Sequence, residues 1–165
     1  MAANEYRFVT EWRIAAPREV VYPILKEGRD YPQWWPEVYL DARHEPSGQP
    51  GGLGDRVHLL TKGWLPYKLR WTAQAVRLDF PAEIEIAATG DFAGSGLWRL
   101  SPAGADGAET DIRFDWVIRA DKPLLRMFSP LLKPVFTWNH HWAMRTGLPN
   151  LRAEAERRTK VAGSR

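Results

Sequence analysis

A long helical pattern near the C-terminus constrains the fold of this chain more than any other feature. The stretch 130–145, PLLKPVFTWNHHWAMR, repeats residues at intervals of three and four, the spacing that places side chains on one helix face. Asn139 lies in the middle of this stripe, which puts an amide on a mostly apolar face. The other predicted members of the face are Leu132, Val135, Trp142 and Thr146, with Leu131, Phe136 and Ala143 alongside.

The boundaries of this helix are predicted from its prolines and glycine. Ser129 and Pro130 suit a cap and a first turn, and the start is expected between Leu124 and Pro134. Gly147 with a following proline predicts an interruption or bend at the far end. Beyond it, residues 151–165 are expected to form a polar helical tail that frays.

The rest of the chain is dominated by alternation of apolar and polar residues, which is typical of strands with one buried face. The clearest case has Ile112, Phe114, Trp116 and Ile118 on one parity, with charged residues between them. Turns rather than crossover helices join the predicted strands that follow residue 38, which requires antiparallel pairing. Seven strands are predicted, at Tyr6–Ala15, Val38–Glu45, Arg56–Lys62, Tyr67–Asp79, Ala82–Thr89, Phe92–Ser101 and Thr110–Arg119.

Two short helices are predicted between the first and second strands. Pro17 suits the first turn of one that ends at Gly28, and the proline-rich segment 30–36 suits a single helical turn. The predicted architecture is α+β: a seven-stranded antiparallel sheet curved around the C-terminal helix. Such a sheet leaves a pocket wherever it does not touch the helix.

Length and composition exclude several classes of protein. The 165 residues, 44% of them apolar, predict one domain over 1–165 with a core at about 5–155. A net charge of +3 from dispersed basic residues argues against a nucleic-acid partner. The chain has no cysteine, which excludes disulfides and thiolate sites. No leader and no apolar run of membrane-spanning length is visible, so a cytoplasmic location is expected.

The order of elements and several local phrases resemble the START/polyketide-cyclase-like (SRPBCC) superfamily, whose architecture is called the helix-grip fold. The matching phrases are APREVVY at 16–22, WWP at 34–36, GDF at 90–92 followed by Gly94, Gly96 and Trp98, and WNHHWAM at 138–144. The resemblance covers roughly residues 5–155. It implies an apolar cavity between sheet and helix that holds a lipid, steroid, polyketide or similar molecule.

The candidate site combines aromatic residues with two polar residues of the C-terminal helix. Asn139 and His140 either tie the helix to strand backbones or supply the polar contacts of an apolar pocket. The tryptophans either fill the core or line the pocket, which Gly94 and Gly96 would help to open. The predicted ligand-binding residues are Trp35, Tyr67, Trp71, Trp98, Phe114, Trp116, Phe136, Asn139 and His140.

No cofactor is expected, and the other histidines are assigned no role. His140 and His141 are adjacent and cannot form the i, i+4 pair of a helical zinc site, so no metal is predicted. His44 and His58 are interpreted as surface groups. Gly48, Gly51, Gly52 and Gly54 lack the lysine and the following helix of a phosphate-binding loop, so they predict a hairpin turn.

Three functions remain open from the sequence. The first is binding of a small hydrophobic molecule. The second is a polyketide cyclase/dehydratase-type enzyme with His140 as general acid or base and Asn139 or Tyr67 orienting a carbonyl. The third is an interaction protein whose interior is filled by side chains, engaging a partner or a second copy through the apolar tip Trp64–Leu65–Pro66.

Overall fold

A computed structural model describes residues 5–120 and 123–163, with side chains for all of these except 120 and 123–132. Three α-helices and seven strands follow one another in the predicted order. They are β1 (Glu5–Ile14), α1 (Arg18–Lys26), α2 (Tyr31–Trp34), β2 (Tyr39–Glu45), β3 (Arg56–Lys62), β4 (Lys68–Asp79), β5 (Glu83–Gly90), β6 (Phe92–Ala103), β7 (Glu109–Ala120) and α3 (Pro123–Gly163). No helix within these ranges is long and apolar enough to cross a membrane.

The seven strands form one antiparallel sheet in the order β1-β7-β6-β5-β4-β3-β2. Neighbours from β2 to β7 are consecutive in the chain, whereas β1 pairs with β7 along its whole length, from Glu5 opposite Arg119 to Ile14 opposite Thr110. The first and second strands therefore lie at opposite edges of the sheet, and α1 and α2 span the distance between them. This arrangement confirms the predicted helix-grip fold.

Alternation places one face of every strand towards the core. Trp12, Trp71, Trp98 and Trp116 are all buried, as their parity predicted. Charged residues occupy the outer face, where Arg113 pairs with Asp115 at 3.0 Å. The indole rings of these four strands therefore face the core.

Helix α3 differs from its prediction in both length and orientation. It starts at Pro123, so Ser129 lies inside it, and it continues through Pro134, Gly147 and Pro149 to Gly163. The predicted cap and interruption are therefore wrong. Its 41 residues correspond to roughly 60 Å of helix.

The face of α3 that meets the sheet is also shifted from the predicted stripe. Val135 is 40% exposed, although it was placed on the inner face, and the predicted Leu131 and Leu132 lie outside the described side chains. The face that turns inward is displaced by about one residue from the predicted stripe. It consists of Phe136, His140, Met144, Gly147, Leu151 and Ala155.

Gly147 allows α3 to pack closely against Trp35, the residue that follows α2. A Cβ at this position would lie 2.5 Å from Cζ2 of Trp35. The Trp35 side chain is 2% exposed, and its indole Nε1 donates a hydrogen bond to Thr146 Oγ1 at 2.9 Å. Gly147 was predicted to interrupt the helix. Its lack of a side chain instead leaves room for the indole ring of Trp35.

Candidate functional site

A cavity of about 250 Å³ lies between the concave face of the sheet and α3. Its wall is formed mostly by aromatic and aliphatic side chains, as in typical small-molecule pockets. The predicted alternative of an interior filled by side chains is therefore wrong. All the residues predicted to bind a ligand lie on this wall: Trp35, Tyr67, Trp71, Trp98, Phe114, Trp116, Phe136, Asn139 and His140.

Packed aromatic rings form the sheet side of the cavity. Trp98 stacks on Phe114 with ring centroids 4.0 Å apart, and Phe114 stacks on Trp116 at 5.5 Å. Trp71 packs against Trp116 at 5.7 Å and donates its indole N–H to Thr61 Oγ1. Offset and edge contacts of this kind add to the stabilisation that burial alone gives.

Gly94 and Gly96 of β6 permit close packing against β7 and do not open the cavity. A Cβ at Gly96 would lie 2.8 Å from the indole of Trp116 and 3.0 Å from the ring of Phe114. A Cβ at Gly94 would overlap the carbonyl oxygen of Val117 on the neighbouring strand. The prediction that both glycines open the pocket is therefore wrong.

His140 is a partly buried histidine whose Nε2 atom makes no hydrogen bond to the described residues. Its ring stacks on Phe8 at a centroid distance of 4.0 Å. The Nε2 atom is buried and has no hydrogen-bond partner among the described residues. Burial, with a smaller contribution from the charge of His141, lowers the pKa of His140 to about 4. At neutral pH this side chain is therefore an uncharged imidazole on the cavity wall.

Asn139 holds the tip of the β3–β4 hairpin against α3. Its Oδ1 accepts a hydrogen bond from the backbone N–H of Leu65 at 3.0 Å. Gly63 lies so close that an added Cβ would overlap the Asn139 amide. Beside this contact, the 57% exposed Trp64 packs edge-on against Trp138 at 4.6 Å. The amide thus has the tethering contact that was one of its two predicted roles.

Replacing Asn139 by alanine is expected to loosen the hairpin tip. The Leu65 N–H would lose its acceptor, and a partly buried donor without a partner costs about 1–3 kcal/mol. Amide hydrogen exchange at Leu65 should accelerate by roughly fivefold or more. Asn139→Asp, which keeps an acceptor oxygen, is the matched control and should retain most of the protection. If Leu65 exchanged as slowly in the alanine variant as in the wild type, the hydrogen bond from Leu65 to Asn139 would be contradicted.

Tyr67 supplies a phenol to the same end of the cavity. Its ring packs edge-on against Phe136 at 6.4 Å. Burial raises the pKa of Tyr67 to about 12, so the hydroxyl stays protonated near neutral pH. The hairpin end therefore presents a neutral hydroxyl donor and a neutral imidazole to the interior.

A second polar group on the wall was missed by sequence reasoning. His44, predicted to be a surface group, is partly buried on the cavity wall together with Asp55, Lys26 and Glu27. His44 Nε2 lies 2.8 Å from Asp55 Oδ2. His44 was placed at the surface because it precedes a loop, but its pairing with Val57, whose side chain also lines the cavity, turns it inward.

Comparisons with known proteins agree with this geometry. Among solved structures, the chain is similar to TTHA0849 from Thermus thermophilus, with TM-score 0.73 and 20% identity, covering 91% of this chain and 97% of that one. It is similar to the Zhui aromatase/cyclase from Streptomyces sp. R1128, with TM-score 0.72 and 21% identity, covering 96% and 98%. A START superfamily protein from Mycobacterium smegmatis has TM-score 0.67 and 16% identity, covering 88% and 98%.

These likenesses are below 25% identity and show the fold alone. A comparison with curated protein sequences finds no match. A family model described as polyketide cyclase/dehydrase and lipid transport matches residues 6–156, which include the sheet, the cavity wall and most of α3. The chain therefore belongs to the polyketide cyclase/dehydrase and lipid transport family, within the START/SRPBCC superfamily.

Proposed function

We propose that this chain binds a small hydrophobic molecule, with a lipid-like or aromatic body, in the cavity between the sheet and α3. The observation that carries the proposal is the cavity of about 250 Å³ with its aromatic wall. An apolar ligand entering such a site releases water from apolar surface on both partners, which is the main driving force for binding. His140 adds one uncharged hydrogen-bonding group to that wall.

Two measurements test binding directly. Native mass spectrometry of the purified protein would reveal a retained small molecule by its added mass. Because Trp71, Trp98 and Trp116 line the cavity, titration with fatty acids, sterols and flavonoids should change tryptophan fluorescence. No response across the panel and no added mass would contradict the proposal.

A cavity-filling variant should separate interior binding from surface adsorption. Ala73 of β4 lines the cavity, and Ala73→Phe is expected to weaken binding of any responding ligand at least tenfold, equivalent to about 1.4 kcal/mol. Gln74→Phe places the same ring on the opposite parity of the strand and should leave the affinity within about twofold. Equal affinities of the two variants would place the ligand outside the cavity.

His140 favours a second candidate function, a cyclase or dehydratase. A partly buried, uncharged imidazole whose Nε2 has no partner in the described part of the chain can accept a proton from a ligand hydroxyl or enol. Tyr67 could orient a carbonyl, and Asn139 could do so only with the part of its amide that does not hold Leu65. One similar structure is named an aromatase/cyclase, which supports testing this chemistry.

The two functions differ in the fate of the ligand. A carrier returns the bound molecule unchanged, whereas a dehydratase returns a product lighter by one water. For an enzyme, His140→Ala should abolish turnover of a poly-β-ketone substrate and leave its binding largely intact. Turnover that survives in this variant would remove His140 from the mechanism.

We further propose that the chain acts as one cytoplasmic binding domain, for which the absence of cysteine is the supporting observation. Homodimerisation through the Trp64 tip and the absence of a nucleic-acid partner stay predictions.

A further inference from the structure

The end of the cavity formed by α1 and the loop before β3 holds a fixed histidine–aspartate pair. Asp55 Oδ2 lies 2.8 Å from His44 Nε2, and Asp55 Oδ1 accepts hydrogen bonds from the Ser47 backbone N–H at 2.8 Å and the Ser47 hydroxyl at 3.0 Å. These bonds, first that from the Ser47 backbone and then that from His44, lower the pKa of Asp55. The carboxylate is therefore charged near neutral pH and its orientation is set by the loop.

A charged carboxylate beside Nε2 fixes the tautomer of His44. It accepts the Nε2 proton, which leaves Nδ1 of a neutral ring as a hydrogen-bond acceptor. Nδ1 has no partner in the part of the chain that the structure describes, while the side chain lies on the cavity wall. Asp55 and Ser47 alone hold the loop, so Nδ1 of His44 is available to accept a hydrogen bond from a ligand in the cavity.

The charges around the pair argue for a neutral ligand group. Lys26 Nζ and Asp55 Oδ2 lie 3.3 and 3.2 Å from the point that a Gly52 Cβ would occupy, so Lys26 reaches this end of the cavity. Its Nζ already pairs with Glu27 at 3.0 Å. Arg29 also pairs with Glu27, at 3.4 Å. The two cations and two carboxylates at this end therefore balance and offer no net attraction to a ligand carboxylate or phosphate. A hydroxyl group, which donates to Nδ1 without adding charge, fits the site.

This pair lies far from the polar groups at the hairpin. His44 pairs with Val57 at the start of β3, whereas Asn139 holds the hairpin beyond Lys62 at its end. The five residue steps from Val57 to Lys62 span roughly 17 Å of strand. The cavity therefore has hydrogen-bonding groups at both ends and aromatic rings between them.

We propose that His44, oriented by Asp55, binds a hydroxyl group of the ligand at this end of the cavity, so that the preferred ligands are hydroxylated aromatic or lipid-like molecules. This inference rests on the proposed binding function and adds the ligand's chemical class to it.

The test compares two probes that differ by one hydroxyl, naphthalene and 2-naphthol, by tryptophan fluorescence titration of the full chain. The measured quantity is the ratio of the Kd of naphthalene to that of 2-naphthol. His44→Phe should lower this ratio at least fivefold relative to the wild type, as expected for loss of one hydrogen bond. His58→Phe is the matched control, since His58 bonds Glu45 and Thr72 and does not line the cavity; it should leave the ratio unchanged.

Asp55 is a positioning residue in this scheme, and imidazole nitrogen NMR provides its readout. The wild type should show His44 protonated at Nε2, and Asp55→Asn should produce a mixture of tautomers together with a reduced ratio. A ratio that is insensitive to His44→Phe, or one that falls only in His140→Phe, overturns the inference while binding itself stands. If the wild type binds neither probe and no member of the fatty acid, sterol and flavonoid panel, the proposed function is overturned and this inference with it.

Discussion

Replacing Trp35 by alanine is expected to lower the free energy of unfolding by about 3–5 kcal/mol, the range found for removing a buried tryptophan or phenylalanine. Trp35 is 2% exposed and contacts the rings of Trp12, Trp34 and Tyr39. Its indole N–H also bonds Thr146, so the substitution removes both packing and the hydrogen bond that ties α3 to the segment after α2. Urea denaturation measures the change.

Trp64→Ala is the control for this substitution. Because Trp64 is exposed, its replacement should lower the free energy of unfolding by no more than about 0.5–1 kcal/mol. Gly147→Ala provides an independent check. When Trp35 is present, the methyl group introduced at position 147 overlaps its ring, which should lower the free energy of unfolding by about 1–3 kcal/mol. In the Trp35→Ala background that ring is gone, so the cost should largely disappear. Additive costs in the double variant would show that the two residues do not form the contact described.

Acidification is expected to destabilise the protein through His140. Its pKa is about 4 in the fold, against an ordinary value near 6.5 in the unfolded chain. Between about pH 6.5 and pH 4, His140 is therefore protonated in the unfolded state but not in the folded state. Stability is lost as the pH falls from about 6.5 to about 4, and the loss assigned to this group is about 3 kcal/mol. Urea denaturation at several pH values follows it.

His140→Phe isolates this contribution, since phenylalanine can still stack on Phe8 but does not titrate. Carboxylates with lowered pKa values, such as Asp111 and Glu154, also lose stabilising contacts in acid, but they do so in both proteins. The wild type should therefore lose about 3 kcal/mol more than the variant between pH 7 and pH 4. Parallel pH profiles would mean that the His140 imidazole is solvated in the fold.

The strands could be predicted closely because one-sided burial leaves a direct trace in the sequence. β3 was predicted at its observed bounds, and the other strands differ at their ends by one or two residues. The orientation of α3 could not be read from residues 130–145 alone, because a 16-residue window is compatible with several faces. Gly147, Leu151 and Ala155 define the buried line, but the glycine had been interpreted as a break.

The aromatic wall was predictable for the same reason as the strands, since parity decides which rings face inward. His44 and Asp55 were not, because their position depends on the loop geometry between β2 and β3 and on the approach of α1. Likewise, the tether from Asn139 to Leu65 joins segments that are 74 residues apart. Contacts between distant segments depend on how the sheet curves, and a local sequence pattern does not predict that curvature.

The pairing of β1 with β7 has a consequence for biosynthesis. Tyr6 and Phe8 from the first strand share the cavity wall with Phe136 and His140 from the last helix. A nascent chain emerging from the ribosome therefore possesses no ligand site until α3 has been made, and until then the tryptophans of β4, β6 and β7 lack their cover. Exposed apolar surface of this kind makes incomplete chains prone to aggregation, a hazard that ends when α3 covers the sheet.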